Sequence, residues 1–315
     1  MTAEETPASS NDDETTQAQT TTEALEWHAP VLVRIDEHTT IPHLLKERVQ
    51  RGATRPLILR KIGIGDTWRS ITAREFYDEV HALAAGLIAR GLEPGDRVAI
   101  MSRTRYEWTL LDFACWAAGL VPVPIYETSS IDQVAHVLVD ADVHLIITET
   151  VSMAEIVRAA AERENRDNTH VLSLDSEAIE TLIADGSATP RERVLARSEA
   201  LTKDDIATIV YTSGTTGTPK GTVLSHENFT NLCLNAHAWM PEIAAGKNSR
   251  LLLFLPLAHV FARFLQVFQI SGNGVLGHAS NIKNLLNDLA SFKPSYLLVV
   301  PRVLEKIYNS ADTKA

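Results

Sequence analysis

Beyond residue 56 the chain alternates short apolar runs with longer stretches in which apolar residues recur at helical spacing. Such alternation predicts strands and helices in succession, and therefore an α/β fold of stacked mixed or parallel sheets covered by helices. The runs 57–60 and 67–71 predict a hairpin about Gly65-Asp66. Residues 72–90 predict a helix: Thr72 and Glu75 stand at capping-box spacing, Phe76, Val80, Leu83 and Leu87 share one face, and Gly91 stops it. After a turn at Pro94-Gly95-Asp96 come strands at 97–101, 121–125 and 143–148, with helices at 106–118 and 131–139 between them. These make two consecutive strand-helix-strand units. A helix near 154–164 and a strand near 170–174 follow, and the mixed, charged segment 175–203 reads as a connection between subdomains near 50–200 and 206–315. Further on, the pattern predicts strands at 206–211, 251–255 and 296–300 and helices at 228–239, 282–292 and 302–310.

Composition changes this picture mainly at the N-terminus. Residues 1–30 are rich in Thr, Ala, Glu, Gln, Ser and Asp, hold no Lys or Arg, and show no apolar period, so they are expected to form an acidic disordered tail. Seven acidic residues before Arg34 account for most of the formal net charge of −11, and the remainder is nearly balanced. A balanced body behind an acidic tail offers no electrostatic footprint for a phosphate backbone, which argues against nucleic acid as a partner. Cys115 and Cys233 lie far apart inside apolar helical patterns and read as buried free thiols. No basic start precedes an apolar stretch, and no apolar run approaches the roughly 18 residues of a membrane span. A soluble, cytoplasmic protein is expected, with peripheral membrane contact still compatible. Oligomeric state leaves no mark on the sequence. Gly63-x-Gly65 lacks the third glycine and the following helix of a dinucleotide fingerprint.

The chemistry concentrates in Tyr211-Thr212-Ser213-Gly214-Thr215-Thr216-Gly217-Thr218-Pro219-Lys220-Gly221, directly after a buried-type strand. Glycines let backbone N–H groups converge on anionic oxygens, hydroxyls add adjustable donors, and the lysine adds a full charge. A Walker loop is excluded, because the fifth residue after Gly214 is Pro219 and Lys220 is followed by Gly221. A flexible linker of small residues is the plainer alternative, but linkers rarely follow an apolar strand and leave through Pro-Lys-Gly.

This run resembles the phosphate-loop signature of the adenylate-forming superfamily, which includes acyl-CoA synthetases, luciferases and peptide-synthetase adenylation domains. Within that resemblance Thr212, Ser213, Gly214, Thr215, Thr216 and Gly217 match the residues that embrace the outer phosphates of ATP, and Lys220 matches a mobile lysine at the loop's end. Four other stretches, Met101-Ser102-Arg103-Thr104-Arg105-Tyr106-Glu107-Trp108, Val121-Pro122-Val123-Pro124-Ile125-Tyr126-Glu127-Thr128, Leu255-Pro256-Leu257-Ala258-His259-Val260-Phe261 and Val300-Pro301-Arg302-Val303-Leu304-Glu305-Lys306, are similar to bacterial long-chain fatty-acid CoA ligases. His259 reads either as a half-buried structural histidine or, by the resemblance, as a catalytic residue beside the carboxylate and nucleotide, with Thr216 as the loop's catalytic hydroxyl. Arg263 reads equally as a neutraliser of phosphate or carboxylate and as a surface residue on an amphipathic helix. Trp108 and Trp116, eight positions apart, read as core.

The resemblance implies ATP, Mg²⁺ and coenzyme A as reactants and cofactors and a fatty acid as substrate. It also implies a Tyr-Gly-x-Thr-Glu segment, a Thr-Gly-Asp segment and a lid-domain lysine, none of which occurs here, and no metal ligand is assigned. Residues 31–315 are therefore expected to be an incomplete N-terminal adenylation domain, without its lid and unable to complete acyl-CoA synthesis. An adenylate former for another carboxylic acid, or a non-catalytic nucleotide-binding module, remain alternative readings.

Overall fold

The computed structural model describes residues 30–301, apart from 64–66, 167, 213–217, 245 and 247–248. The expected tail at 1–29, the hairpin turn at Gly65-Asp66 and the helix at 302–310 lie outside the described residues.

Two four-stranded sheets and a hairpin carry the architecture. In the first sheet β1 (Pro56–Lys61) pairs antiparallel with β2 (Trp68–Thr72), as the sequence predicts, and parallel with β10 (Val275–His278). On its far side β10 pairs parallel with β9 (Arg250–Leu253), for the order β2-β1-β10-β9. This sheet thus takes two strands from each of the ranges 50–200 and 206–315. The second sheet is wholly parallel in the order β4-β3-β5-β6, built from β3 (Arg97–Met101), β4 (Val121–Ile125), β5 (Val143–Thr148) and β6 (His170–Ser173). Its border strand β4 carries Pro122 and Pro124, which suits an edge because neither has an N–H for a further ladder. The third unit is the antiparallel hairpin β7 (Ile206–Thr212) and β8 (Lys220–Ser225).

Eleven helices accompany the strands among the described residues: α1 (Ile41–Gly52), α2 (Ala73–Ala89), α3 (Tyr106–Ala117), α4 (Ile131–Asp140), α5 (Val151–Arg163), α6 (Ala178–Asp185), α7 (Arg191–Ala200), α8 (His226–Trp239), α9 (Pro241–Ala244), α10 (Val260–Ser271) and α11 (Leu285–Phe292). The capping box foreseen for α2 is complete: Glu75 N–H donates to Thr72 Oγ1 at 3.2 Å, and Thr72 N–H donates to Glu75 Oε2 at 2.7 Å. Gly91 beyond its end takes φ +82°, where a side chain would be strained. In α3 every residue is buried, as expected of a helix apolar on nearly all sides; Trp108 and Trp116 are core, as read from sequence. Both cysteines are buried and free.

The structure corrects three expectations. Segment 175–203 is no bare connection, since α6 and α7 fold there against α2. Their signal is faint because α7 buries only Val194 and α6 only Ala178 and Leu182. Tyr296 forms a single bridge to Leu251 in place of a strand over 296–300. Helix α1 and strands β8 and β10, absent from the sequence reading, take their places through tertiary partners. Thr40 supplies no side-chain cap for α1; the buried Ile41 N–H instead donates to His226 Nδ1 at 3.3 Å, from α8.

The α2–α6 contact is close enough to require glycine, because a Cβ at Gly86 would lie 1.8 Å from the Leu182 carbonyl oxygen. Alanine in a helix ordinarily gains roughly 0.5–1 kcal/mol over glycine, whereas Gly86→Ala is expected to destabilise by about 1–3 kcal/mol through overpacking; a raised urea midpoint would contradict the contact. A second expectation concerns acid. Burial pushes His226 down to about 4 from 6.5, so the unfolded chain takes up the proton first. The stability associated with neutral His226 is complete above pH 6.5 and is lost as pH falls toward 4. The expected slope is about 1.4 kcal/mol per pH unit for each such histidine. Denaturation curves of the protein and of His226→Asn across that window should differ by about this slope.

Candidate functional site

The phosphate-loop candidate is the tip of the β7–β8 hairpin. Thr212 and Lys220 face each other as its last register pair, and both are exposed. The candidates Ser213, Gly214, Thr215, Thr216 and Gly217 lie outside the described residues. Three polar contacts hold the stem. Thr208 Oγ1 in β7 donates to the Pro122 carbonyl of β4 at 2.7 Å, Tyr211 OH donates to Asp140 Oδ2 at 2.6 Å, and His136 Nε2 donates to the Pro219 carbonyl at 2.7 Å. A carbonyl can only accept, so this last bond fixes a hydrogen on Nε2. Both Asp140 and His136 come from α4, which therefore grips one stem residue on each side of the loop. Burial and the neighbouring Asp140 carboxylate push the Tyr211 phenol upward, which keeps it a donor.

His259 stands as the extended residue before α10, and its N–H donates to the Pro256 carbonyl at 3.0 Å. It is exposed, which corrects the half-buried reading. Its Nδ1 is 2.8 Å from Tyr126 OH, with the rings edge to face at 5.1 Å. Burial raises the Tyr126 phenol, so it retains its proton. When the phenol donates to Nδ1, the imidazole's own hydrogen sits on Nε2. Thr104 fixes the preceding bend by donating to the Leu255 carbonyl at 2.7 Å and accepting from Leu257 N–H at 3.2 Å. The stretches 101–108, 121–128 and 255–261, separate in sequence, meet through Thr104, Tyr126 and His259. Among the described residues no hydrogen bond joins His259 to the hairpin.

Arg263 follows neither expectation, being fully buried. Its Nη2 donates to Asp112 Oδ1 at 2.7 Å, Nε donates to Asp112 Oδ2 at 3.1 Å, and Nη1 donates to Thr208 Oγ1. The guanidinium lies 5.4 Å over the Trp116 ring, and Gln266 Nε2 adds a 2.9 Å bond to Asp112. The charge is engaged inside the protein, where it ties the helix after His259 to the strand that leads into the loop. Sequence reasoning gave no role to Tyr126, His136, Thr208 or Asp112. Only Tyr126 left a signal, as part of a quoted stretch, since the others act through distant partners.

Comparison with known proteins places this arrangement. The profile of the family described as AMP-binding enzyme matches residues 45–315. The long-chain-fatty-acid–CoA ligase FadD15 of Mycobacterium tuberculosis (strain ATCC 25618 / H37Rv) is 39% identical over 292 residues, covering 92% of this chain and 48% of its own length. The ligase ACSBG2 of Rattus norvegicus is 30% identical over 314 residues, covering 89% and 45%. The chain thus spans about half the length of the curated relatives it matches. Among solved structures, VinN superposes with a TM-score of 0.71 at 18% identity over 87% of this chain and 64% of its own. A Mycobacterium tuberculosis fatty acyl CoA synthetase gives 0.70 at 23% over 86% and 51%. At these identities the two structures speak for the fold: stacked sheets covered by helices, as the sequence predicts.

Removing one partner of a buried ion pair strands the other charge. Arg263→Ala is accordingly expected to cost about 3–5 kcal/mol, with most of the loss recovered when Asp112→Leu is added. Guanidinium denaturation of the single and double variants checks this; equal losses in both would rule the pair out as the source.

Proposed function

The chain belongs to the AMP-binding enzyme family, and from that membership we propose that it is a portion of an ATP-dependent fatty-acid CoA ligase. The observation that carries the reading is the hairpin closed by Thr212 and Lys220 and steadied by α4, with the Tyr126–His259 pair at the end of the strand beside it. The similar FadD15 and ACSBG2 chains, each named a long-chain-fatty-acid–CoA ligase, support this choice of substrate class.

In the proposed reaction a fatty-acid carboxylate oxygen attacks the α-phosphorus of ATP, and the bond to pyrophosphate breaks. The thiol of coenzyme A then attacks the acyl carbon of the adenylate and AMP leaves. Both steps bring anions together, so positioning and fixed donors dominate the catalysis. Thr212, Ser213, Gly214, Thr215, Thr216 and Gly217 would supply hydroxyl and backbone donors to the outer phosphates, and Lys220 a mobile charge. His259, held at Nδ1 by Tyr126, would offer Nε2–H to the carboxylate or the adenylate. The implied Mg²⁺ has no fitting ligand set among the described residues, where no group of three His, Cys, Asp or Glu side chains could hold it. We derive no step through it.

The test is fatty-acid-dependent ATP–pyrophosphate exchange by a polypeptide of the relatives' full length that carries this segment. Thr216→Ala is expected to lower exchange roughly a hundred- to a thousand-fold, about 2.7–4 kcal/mol of barrier. Normal exchange by that variant would remove the loop from the mechanism.

A further inference from the structure

Parallel strands place the openings of their sheet at the C-terminal ends, where ligands of α/β proteins bind. Beyond those ends of β1 and β10 in one sheet, and of β3 and β5 in the other, lies a cavity of about 670 Å³. That volume suits a small molecule. Neither His259 nor any described residue of the hairpin lines it.

Its walls are charged, and the charges are organised. Arg60, Lys61, Arg103, Arg105 and Lys283 face Glu107, Glu149 and Asp288, which leaves an excess of two positive charges. Glu149 is 3% exposed and receives Arg103 through Nε, Nη2 and the backbone N–H, the last at 2.8 Å. Burial pushes the Glu149 carboxyl up, but the Arg103 bonds more than offset this and hold it below its usual value. Glu107 is held in the same way, its burial outweighed by Arg105 and by Arg60. These carboxylates immobilise the guanidiniums without consuming all their donors. Arg103 Nη1, Arg105 Nη2 and Arg60 Nη1 make no hydrogen bond among the described residues. Lys283 forms no ion pair there either; its backbone N–H donates to Asn281 Oδ1 at 2.9 Å, which sets the loop. His278 also stands in the wall. It is 7% exposed, its Nε2 meets Thr109 Oγ1 at 2.7 Å, and its Nδ1 has no partner among the described residues.

We infer that this cleft is a second anion site, separate from the hairpin, which takes the phosphoryl group of a small phosphorylated molecule through Arg103, Arg105, Arg60 and Lys283. Guanidiniums locked by buried carboxylates present planar forks with little orientational freedom left to lose, which favours bidentate contact with phosphate over a diffuse attraction. The excess of two charges matches a phosphate monoester near neutral pH. Glu149 and Glu107 serve as positioning residues, since they touch the arginines and not the ligand.

Inorganic phosphate is the probe, titrated into the purified chain without added metal and followed by calorimetry and by phosphorus NMR line width. Saturable binding is expected, weakened about tenfold by Lys283→Glu and restored by Lys283→Arg, with Lys220→Ala as the arm that reports any binding at the hairpin. Among the described residues Lys283 has no ion-pair partner to strand, and matched thermal melts of the three variants separate lost binding from lost folding. Absence of saturable binding, or equal affinity in Lys283→Glu, overturns the proposal. Loss through Lys220→Ala alone also overturns it and assigns the anion to the hairpin, whereas failure of the ligase reading leaves the cleft untouched.

Discussion

Asp112 supplies the matched anion for the fully buried guanidinium of Arg263. The pair joins three elements at one point. Asp112 belongs to α3, the helix buried along its whole length; Arg263 belongs to α10, whose first turn is preceded by His259; and Thr208, bonded to both the guanidinium and the Pro122 carbonyl, belongs to the strand that leads into the glycine-rich loop. Each of the two candidate site regions is thus anchored one element away from the same ion pair. Burial fixes the geometry here, because any displacement of α10 relative to α3 would leave a charge unmatched in the core.

Around this anchor the polar contacts follow a consistent logic. Short hydroxyl and imidazole side chains bind backbone carbonyls at bends and at a sheet border: Thr104 at Leu255, His136 at Pro219, Thr208 at Pro122. Carbonyls left without ladder partners beside a loop need donors. Supplying them from neighbouring elements keeps the loop ends in place while the loop itself is composed of glycine and small hydroxyl residues suited to close approach.

Periodic features were legible in sequence, and cooperative ones were not. The α2 capping box, the parallel strand-helix-strand units and the burial of both tryptophans follow from local pattern and apolar period. Helices α6 and α7 escaped because each buries so little that the period fades into charge. Strand β8 buries no residue fully and exists by pairing with β7. Arg263 was misread because one residue gives no sign of whether its counter-charge is solvent, ligand or an aspartate 151 positions away. Of the site, the composition of the loop was plain, while Tyr126 and His136 emerged only when the chain brought them beside His259 and Pro219.

The prolines of β4 have an effect beyond shaping a strand end. At positions 122 and 124 they give the second sheet a border that can receive hydrogen bonds but offers none of its own there. The Pro122 carbonyl is taken by Thr208, so a stray extended peptide approaching this margin meets neither matching donors nor a free acceptor at that residue. A one-way margin of this kind is poorly suited to cross-molecular zippering, so the same two residues that end the sheet also discourage its extension.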